Sequence, residues 1–380
     1  MKSPVRPGVV PSQTTTLRTR RSGAARCALL AILALAVGSA PASAEPIRIM
    51  PVGDSITQGA GGDYTWRYRL ANSLRLNGPA SGVDFVGSRT GLYDTVKYLQ
   101  DWNQDYQIAE FDRDHHAVWL RTLIDETATI GPAIGALPAK PDVVIAALGT
   151  NDAARGAARS LTAMESLIRN ARAAAPGVDV VVVGLYPLAN LGNGALINQS
   201  YVAGFNAGLP ALASRLSTPS ERVVLAPLAS FDPRTMTWDG RHPTSTGELV
   251  IARSVATALA ELGVGGGWRG PSTAVWPAQG PTPSLIPASN GTVRVTWPVD
   301  TPGALAYRVT YRLVGTSAWT LVGTLAANTP TVTAPGMKVG SSYEFAITPV
   351  RGAMVGVMGP RVTTTIPAPV PRSKPWWQLW

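Results

Sequence analysis

The chain has little of what stabilises disulfide-rich modules or binds metals. It contains one cysteine in 380 residues, Cys27, so no disulfide can form within the chain. It contains three histidines, and two of them are adjacent at positions 115 and 116, too close for the usual spacings of zinc ligands. The H-E-x-x-H sequence of zinc peptidases is absent. These absences argue against a disulfide framework and against metal-dependent hydrolysis, and we expect no metal and no other cofactor.

Acidic residues are absent from the first 44 positions, which carry six lysines and arginines. An apolar run at residues 28–37 and the sequence Ala42-Ser43-Ala44 follow. These features are typical of a secretory signal peptide with an A-x-A cleavage site, so residues 1–44 are predicted to be removed and the protein to be secreted. The alternative is an uncleaved membrane anchor, but the apolar run is far shorter than the roughly 20 residues of a spanning helix. We therefore expect no stable membrane insertion.

The positive charge of the whole chain comes largely from this segment. The formal net charge is +10, and removing six positive charges leaves 10 − 6 = +4 for the mature protein. Nucleic-acid binding therefore loses most of its support. Cys27 also lies in the predicted signal. A core of roughly 200 residues is large enough to be stable without disulfides.

Residues 45–262 alternate short β-branched runs with longer helical ones. The predicted strands are residues 47–50, 83–86, 143–148, 178–185 and 223–226, and the predicted helices are residues 66–76, 116–130, 161–174, 195–216 and 245–262. Continuous apolar strands such as residues 143–148 suit a parallel sheet that is covered on both faces. The sequence therefore predicts the α/β class and a three-layer α/β/α sandwich.

The remainder of the chain differs in composition. Residues 263–283 are rich in Gly, Pro, Ser and Thr and are predicted to be a linker with few groups able to pack, so we expect a chain ending near Leu262 to fold and act alone. Within residues 284–366, several runs alternate inward-facing and outward-facing side chains, as β-strands do. Trp297, Tyr311 and Tyr343 make the segment resemble a fibronectin type III domain, an all-β immunoglobulin-like sandwich. This domain is interpreted either as a spacer or as a contact to polysaccharide or cell wall through Trp319. The Pro- and Trp-rich tail, residues 367–380, is either disordered or docked on a surface.

Three polar blocks stand at the ends of predicted strands or before a predicted helix. They are Gly53-Asp54-Ser55, Gly149-Thr150-Asn151-Asp152 and Asp239-Gly240-Arg241-His242-Pro243. The first alone is weak evidence, because turns commonly use these residues. In an open α/β sheet, however, ligands bind at the carboxyl ends of the strands. Together the blocks resemble those of the SGNH (GDSL-like) hydrolase superfamily over about residues 47–262, which implies a serine esterase.

Ester hydrolysis by a serine needs a base, a group that orients the base, and donors for the oxyanion. Ser55 is the predicted nucleophile and His242 the predicted base. Asp239 lies three residues before His242, so its carboxylate can bind one ring nitrogen while the other faces Ser55. The Asn151 amide and the Ser55 backbone N–H are the predicted oxyanion donors.

A third oxyanion donor is less clearly marked. Several segments, among them residues 50–55, 84–88, 114–116 and 238–240, resemble bacterial carbohydrate acetyl esterases of the acetylxylan esterase type. In those enzymes an Asp-His-Glu-Gly segment leads to a glycine donor, whereas this chain has Leu120 in that place. Leu120 and Gly87 are both candidates.

These residues predict a secreted serine esterase that acts on acyl groups of carbohydrate, in particular acetyl groups. The α/β-hydrolase elbow G-x-S-x-G is absent. A lipolytic acyl hydrolase or lysophospholipase of the same superfamily is the enzymatic alternative, and an extracellular binding protein without turnover is the other. Asp63, Tyr64 and Arg67, beside the predicted nucleophile, are interpreted either as sugar contacts or as solvated residues at a helix start.

Overall fold

The computed structural model describes residues 45–102, 106–272, 274–276 and 278–370. The predicted signal peptide with Cys27 lies outside the described residues, and so do the three tryptophans of the tail, so both interpretations stay predictions. Within the described ranges, no helix is both long enough and apolar enough to cross a membrane.

The first part of the described chain alternates strands and helices. In order it contains β1 (Ile47–Gly53), α1 (Ser55–Gln58), α2 (Trp66–Asn77), β2 (Val83–Phe85), β3 (Leu92–Asp94), β4 (Leu99–Trp102), β5 (His116–Ala117), α3 (Leu123–Ala136), β6 (Val143–Ala147), α4 (Ala157–Ala174), β7 (Asp179–Val183), β8 (Leu188–Ala189), β9 (Leu196–Ile197), α5 (Gln199–Leu216), β10 (Val223–Ala226), α6 (Pro233–Met236) and α7 (Ser245–Glu261). A short 3₁₀ helix, Thr150–Arg155, follows β6.

A parallel sheet forms the centre of this part, with strand order β10-β7-β6-β1-β2 and with β5 paired to β1. Successive side chains of β1 enter different cores, because a strand projects alternate residues to opposite faces. Ile49 packs with residues of α2 and α7, whereas Met50 packs with residues of α3, α4 and α5. The sheet is therefore covered by helices on both faces, which confirms the predicted three-layer α/β/α sandwich.

The helix predicted for residues 116–130 is wrong at its start. His116 and Ala117 pair with Val52 and Gly53 as strand β5, and the helix begins only after Thr122, which forms a capping box with Asp125. Leu120 has a φ of 65°, which a right-handed helix does not allow. Residues 118–122 therefore turn over the carboxyl end of β1. The helix predicted to start at residue 195 begins at residue 199, because residues 196–197 pair with β8.

The C-terminal part is an all-β sandwich built of β11 (Ser284–Ala288), β12 (Thr292–Thr296), β13 (Ala306–Leu313), β14 (Thr320–Ala326), β15 (Thr331–Ala334), β16 (Ser342–Arg351), β17 (Met354–Val355) and β18 (Val362–Thr365). One sheet has the order β11-β12-β15, and the other β14-β13-β16-β17 with β18 on β16. The Tyr343 hydroxyl accepts the backbone N–H of Lys338 at 3.0 Å, the tyrosine corner of such domains. The predicted fibronectin type III-like sandwich is confirmed. Trp297 is core, and Trp319 is partly covered by Arg312.

Residues 263–283 pack against both neighbouring parts of the chain. The Gly266 N–H donates to the Asn77 carbonyl at 3.0 Å, and the Arg269 N–H donates to Ser73 Oγ at 2.8 Å. Trp276 is buried in the core of the sandwich. The expectation that this segment has few packing groups is therefore wrong, although its role as the connection between two domains stays a prediction.

Candidate active site

The segment around Ser55 is built by the end of β1 and the start of α1. Asp54 caps α1, its Oδ1 accepting the Ile56 N–H at 2.9 Å. Ser55 follows as the first helical residue and is nearly buried. Its side chain is held at the carboxyl edge of the sheet by a short, capped turn.

The segment from Asp239 to His242 folds back on its own carboxylate. Asp239 Oδ1 accepts the backbone N–H groups of Arg241 at 2.9 Å and His242 at 2.7 Å. Gly240 has a φ of 86°, and a Cβ there would overlap the carbonyl oxygen of Ala189, so only glycine fits. In this conformation of the loop, the carboxylate faces the imidazole.

The structure brings Ser55, His242 and Asp239 into one hydrogen-bonded chain. His242 Nδ1 lies 2.7 Å from Asp239 Oδ2, and His242 Nε2 lies 3.0 Å from Ser55 Oγ. A carboxylate only accepts hydrogen bonds, so Nδ1 carries the proton and Nε2 is free to accept from the serine hydroxyl. The imidazole can therefore act as a base toward Ser55.

Asp239 is ionised in this arrangement. Partial burial opposes ionisation, but the hydrogen bonds from His242 outweigh it and hold the pKa of Asp239 below its ordinary value. The Asp239 side chain is 32% exposed, whereas that of His242 is 10% exposed. The carboxylate can thus stabilise an imidazolium while it remains in contact with water.

Two indole rings stack against the imidazole of His242. The Trp119 ring centroid is 4.5 Å from that of His242, and the Trp238 centroid is 5.3 Å away. Trp119 stacks in turn on Tyr93 at 4.3 Å. These contacts restrict the orientation of the imidazole, and sequence reasoning missed them. The position of Trp238 directly before Asp239 was the available signal.

Asn151 lies in the 3₁₀ helix that follows β6. Its Nδ2 donates to the Arg121 carbonyl at 3.0 Å, and its Oδ1 accepts from Arg241 Nη1 at 3.1 Å. Arg241 thereby connects this block to the His242 loop and sets which way the amide faces. The second N–H of the amide is left for another acceptor.

The two candidates for the third oxyanion donor have different surroundings. A Cβ at Gly87 would overlap the backbone of His115, so close packing explains this glycine. Leu120 directly follows Trp119, and the residue is 65% exposed. Its left-handed backbone is the conformation that glycine adopts most readily. Both residues stay candidates.

The other two histidines are engaged elsewhere. His115 is fully buried, with Nδ1 accepting the Ala117 N–H and Nε2 donating to the Gly91 carbonyl. Burial lowers the pKa of His115 well below its ordinary value, so the ring is neutral. His116 Nδ1 lies 2.6 Å from Ser88 Oγ, and its Nε2 lies 3.1 Å from a Glu126 carboxylate oxygen.

Arg67 is neither solvated nor available to a sugar. It is fully buried, and it donates to the carbonyls of Thr57, Gln58 and Arg113 and to the Tyr106 hydroxyl. Asp63 is also buried and accepts the Ala60 N–H at 2.7 Å. These two residues hold the segment that follows the Ser55 helix.

A parallel α/β/α sandwich with a serine and a histidine in contact at the carboxyl edge of its sheet is the architecture of an SGNH-type hydrolase. Residues 52–249, about half of the chain, match the GDSL-like Lipase/Acylhydrolase family. The chain belongs to this family. It is therefore a carboxylic ester hydrolase with ester substrates.

Solved structures are similar to each of the two parts. A carbohydrate esterase family 3 structure from Talaromyces cellulolyticus is 26% identical, with 57% of this chain and 97% of that chain covered and a TM-score of 0.47. A family 3 carbohydrate esterase of Clostridium thermocellum has the same identity and coverage and a TM-score of 0.44. The fn3 domain of the human collagen alpha-1(XX) chain is 17% identical, with 28% of this chain and 100% of that chain covered and a TM-score of 0.24.

Proposed function

We propose that the protein is a secreted serine esterase that removes acyl groups, chiefly acetyl, from carbohydrate. Ser55 is the nucleophile, His242 the general base and Asp239 the group that orients the base. The observation that carries the proposal is the chain of contacts from Ser55 Oγ to His242 Nε2 at 3.0 Å and from His242 Nδ1 to Asp239 at 2.7 Å. Secretion is proposed from the basic and apolar features of residues 1–44.

In the proposed reaction, His242 Nε2 takes the hydroxyl proton as Ser55 Oγ attacks the ester carbonyl carbon. The tetrahedral oxyanion accepts hydrogen bonds from the Ser55 N–H and from the unused N–H of Asn151. The imidazolium then gives its proton to the sugar oxygen, and the alcohol leaves an acyl-serine. A water molecule, deprotonated by His242, attacks this ester and releases the acid, and the proton returns to Ser55.

We favour Leu120 as the third donor to the oxyanion. Its backbone N–H follows Trp119, whose ring contacts His242, whereas Gly87 is packed on the backbone of His115. Leu120 is also largely exposed, so a substrate can reach this residue from solvent.

Trp119 supports the preference for short acyl groups. Its ring is fixed between Tyr93 and His242, with centroid distances of 4.3 and 4.5 Å, and so forms a rigid wall beside the base. A lipolytic site would instead offer an apolar groove, in which each buried methylene contributes about 0.8 kcal/mol. We therefore propose a carbohydrate that carries short acyl groups as the substrate and, as a second proposal, contact with polysaccharide through the C-terminal domain.

Hydrolysis of 4-nitrophenyl esters from acetyl to octanoyl, together with acetate release from acetylated xylan, tests this proposal. Wild type, Ser55→Ala and Ser88→Ala are compared. Ser88 is a matched control because it is also hydrogen-bonded to a histidine that contacts a carboxylate. We expect the specificity constant to fall steeply beyond propionyl, Ser55→Ala to lose several orders of magnitude in kcat, and Ser88→Ala to resemble wild type.

Other outcomes would contradict particular parts of the proposal. A rate that rises with acyl length, without acetate release from xylan, would assign the protein to the lipolytic alternative. Loss of turnover in Ser88→Ala but not in Ser55→Ala would mean that the wrong serine and histidine had been chosen. No turnover of any ester by wild type would favour a binding protein.

A further inference from the structure

Arg351, in the C-terminal sandwich, is completely buried although it carries a charge. It is the last residue of β16 and stands at the turn to β17. A buried guanidinium is costly unless charged or polar groups surround it. The groups that surround the Arg351 guanidinium therefore indicate the role of this residue.

The groups around Arg351 belong to the α/β domain. Arg351 Nη2 lies 3.0 Å from Asp63 Oδ1, and Nη1 donates to the carbonyl of Gly61. The second oxygen of Asp63 accepts the Ala60 N–H. Arg351 thus holds residues 60–63, the loop that follows the helix beginning at Ser55.

The same turn also contacts the loop that carries His242. The Arg351 guanidinium carbon lies 4.8 Å from the centroid of the Trp238 ring, and the Ala353 N–H donates to the Trp238 carbonyl at 2.8 Å. A Cβ at Gly352 would overlap that carbonyl oxygen, so the approach is close enough to require glycine. The backbone N–H of Trp238 in turn donates to the His242 carbonyl, and the Trp238 ring stacks on the imidazole.

We propose that Arg351 is a positioning residue for ester hydrolysis, through which the C-terminal sandwich completes the active site. One guanidinium holds the loop after the nucleophile and also the tryptophan that supports the base. The proposal rests on the proposed function, since it assigns the role of Arg351 to the same serine and histidine. A chain ending near Leu262 lacks this support, so the expectation that it acts alone conflicts with these contacts.

The expected kinetic effect follows from where Arg351 lies. It is fully buried and contacts Asp63, Gly61 and Trp238 instead of the proposed substrate, so its loss should leave substrate affinity nearly unchanged. Displacement of reacting groups by about 1 Å can cost about 100-fold in rate. We therefore expect kcat to fall about 10- to 100-fold while KM changes less than about twofold.

Removing the guanidinium alone would leave the buried Asp63 carboxylate without its partner, which could unfold the protein. The double variant Arg351→Met with Asp63→Asn avoids this problem. It removes both charges, and the asparagine retains an oxygen to accept the Ala60 N–H. Arg351→Lys is the conservative variant: it keeps a positive charge but loses the fork that reaches Asp63 and Gly61 together.

Arg312→Met is the matched control in the same sandwich. Arg312 is a partly buried arginine that pairs with Glu344 at 2.6 Å and lies over the Trp319 ring, so it has the same kinds of contact within its own domain. All variants are made in the full mature chain. The measurements are thermal unfolding, kcat and KM for an acetyl ester, and the proton NMR resonance of the His242 imidazole N–H, identified by its absence in His242→Ala.

The expected result has three parts. The double variant folds, loses kcat but not KM, and shows a shifted or broadened His242 resonance. Arg351→Lys is intermediate, and Arg312→Met matches wild type in kcat and in the resonance.

Two results would overturn the proposal: a folded double variant with wild-type kcat and an unchanged resonance, or equal losses in Arg312→Met. If wild type hydrolyses no ester, the proposed function fails, and the His242 resonance alone then decides whether Arg351 positions the loop.

Discussion

Replacing Asp239 by asparagine tests how His242, the proposed base, is oriented. Asp239 Oδ1 accepts two backbone N–H groups, and an asparagine oxygen can keep both contacts. The amide nitrogen then occupies the place of Oδ2, opposite His242 Nδ1. Because this nitrogen can only donate, it favours the imidazole tautomer with the proton on Nε2. That nitrogen would then face Ser55 with a proton and could not accept one.

The size of the effect can be bounded from the geometry. Loss of the orienting carboxylate in a buried Ser-His-Asp arrangement costs about 10⁴-fold in kcat. The Asp239 side chain is 32% exposed, so water can partly replace it. We therefore expect a loss of about 10³-fold, equivalent to about 4 kcal/mol of transition-state stabilisation. Because both backbone contacts survive, the unfolding temperature should change little.

The assay is kcat for a chromogenic acetyl ester at neutral pH, with thermal unfolding measured on the same samples. Asp232→Asn is the control. Asp232 lies outside the site, and its carboxylate accepts the backbone N–H and a side-chain N–H of Arg234. Its local contacts are therefore similar to those of Asp239. Its variant should keep kcat within about twofold of wild type. Turnover of Asp239→Asn within about tenfold of wild type would refute the tautomer argument.

Two further predictions concern the surroundings of Ser55 and His242. Burial raises the pKa of Asp54 to about 7, so the stability that the protonated Asp54 carboxyl contributes is present at low pH and is lost as the pH rises from about 4 to about 7. The variant Asp54→Asn should therefore unfold at the same temperature as wild type at pH 4 and at a higher temperature at pH 8. An equal difference in unfolding temperature at both pH values would contradict this assignment. Trp119→Ala removes the wall beside His242, so the ratio of butyryl to acetyl specificity constants should rise even as kcat falls, whereas an unchanged ratio would show that Trp119 does not limit acyl size.

The sequence by itself predicted the features that are local along the chain. The strands β6 and β10 of the central sheet are continuous apolar runs, and the burial of the sheet between two layers of helices follows from such a composition. The pairing of Asp239 with His242 was foreseeable because they are three positions apart in the sequence. The fibronectin-like sandwich was foreseeable from the alternation of its strands and from the position of Tyr343.

Only the tertiary structure decided the features that depend on distant segments. Residues 116–122 have a helical composition but do not form a helix, because pairing of β5 with β1 and the backbone of Leu120 override local preference. The stacking of Trp119 on His242 required two loops that are distant in sequence, residues 118–122 and 237–243, to meet. Arg351 shows the limit most clearly: nothing in its local sequence distinguishes it, and its burial against Asp63 and Trp238 exists only because two domains pack together. Local periodicity predicts where most of the elements form, whereas the burial of a single charge depends on the long-range packing that surrounds it.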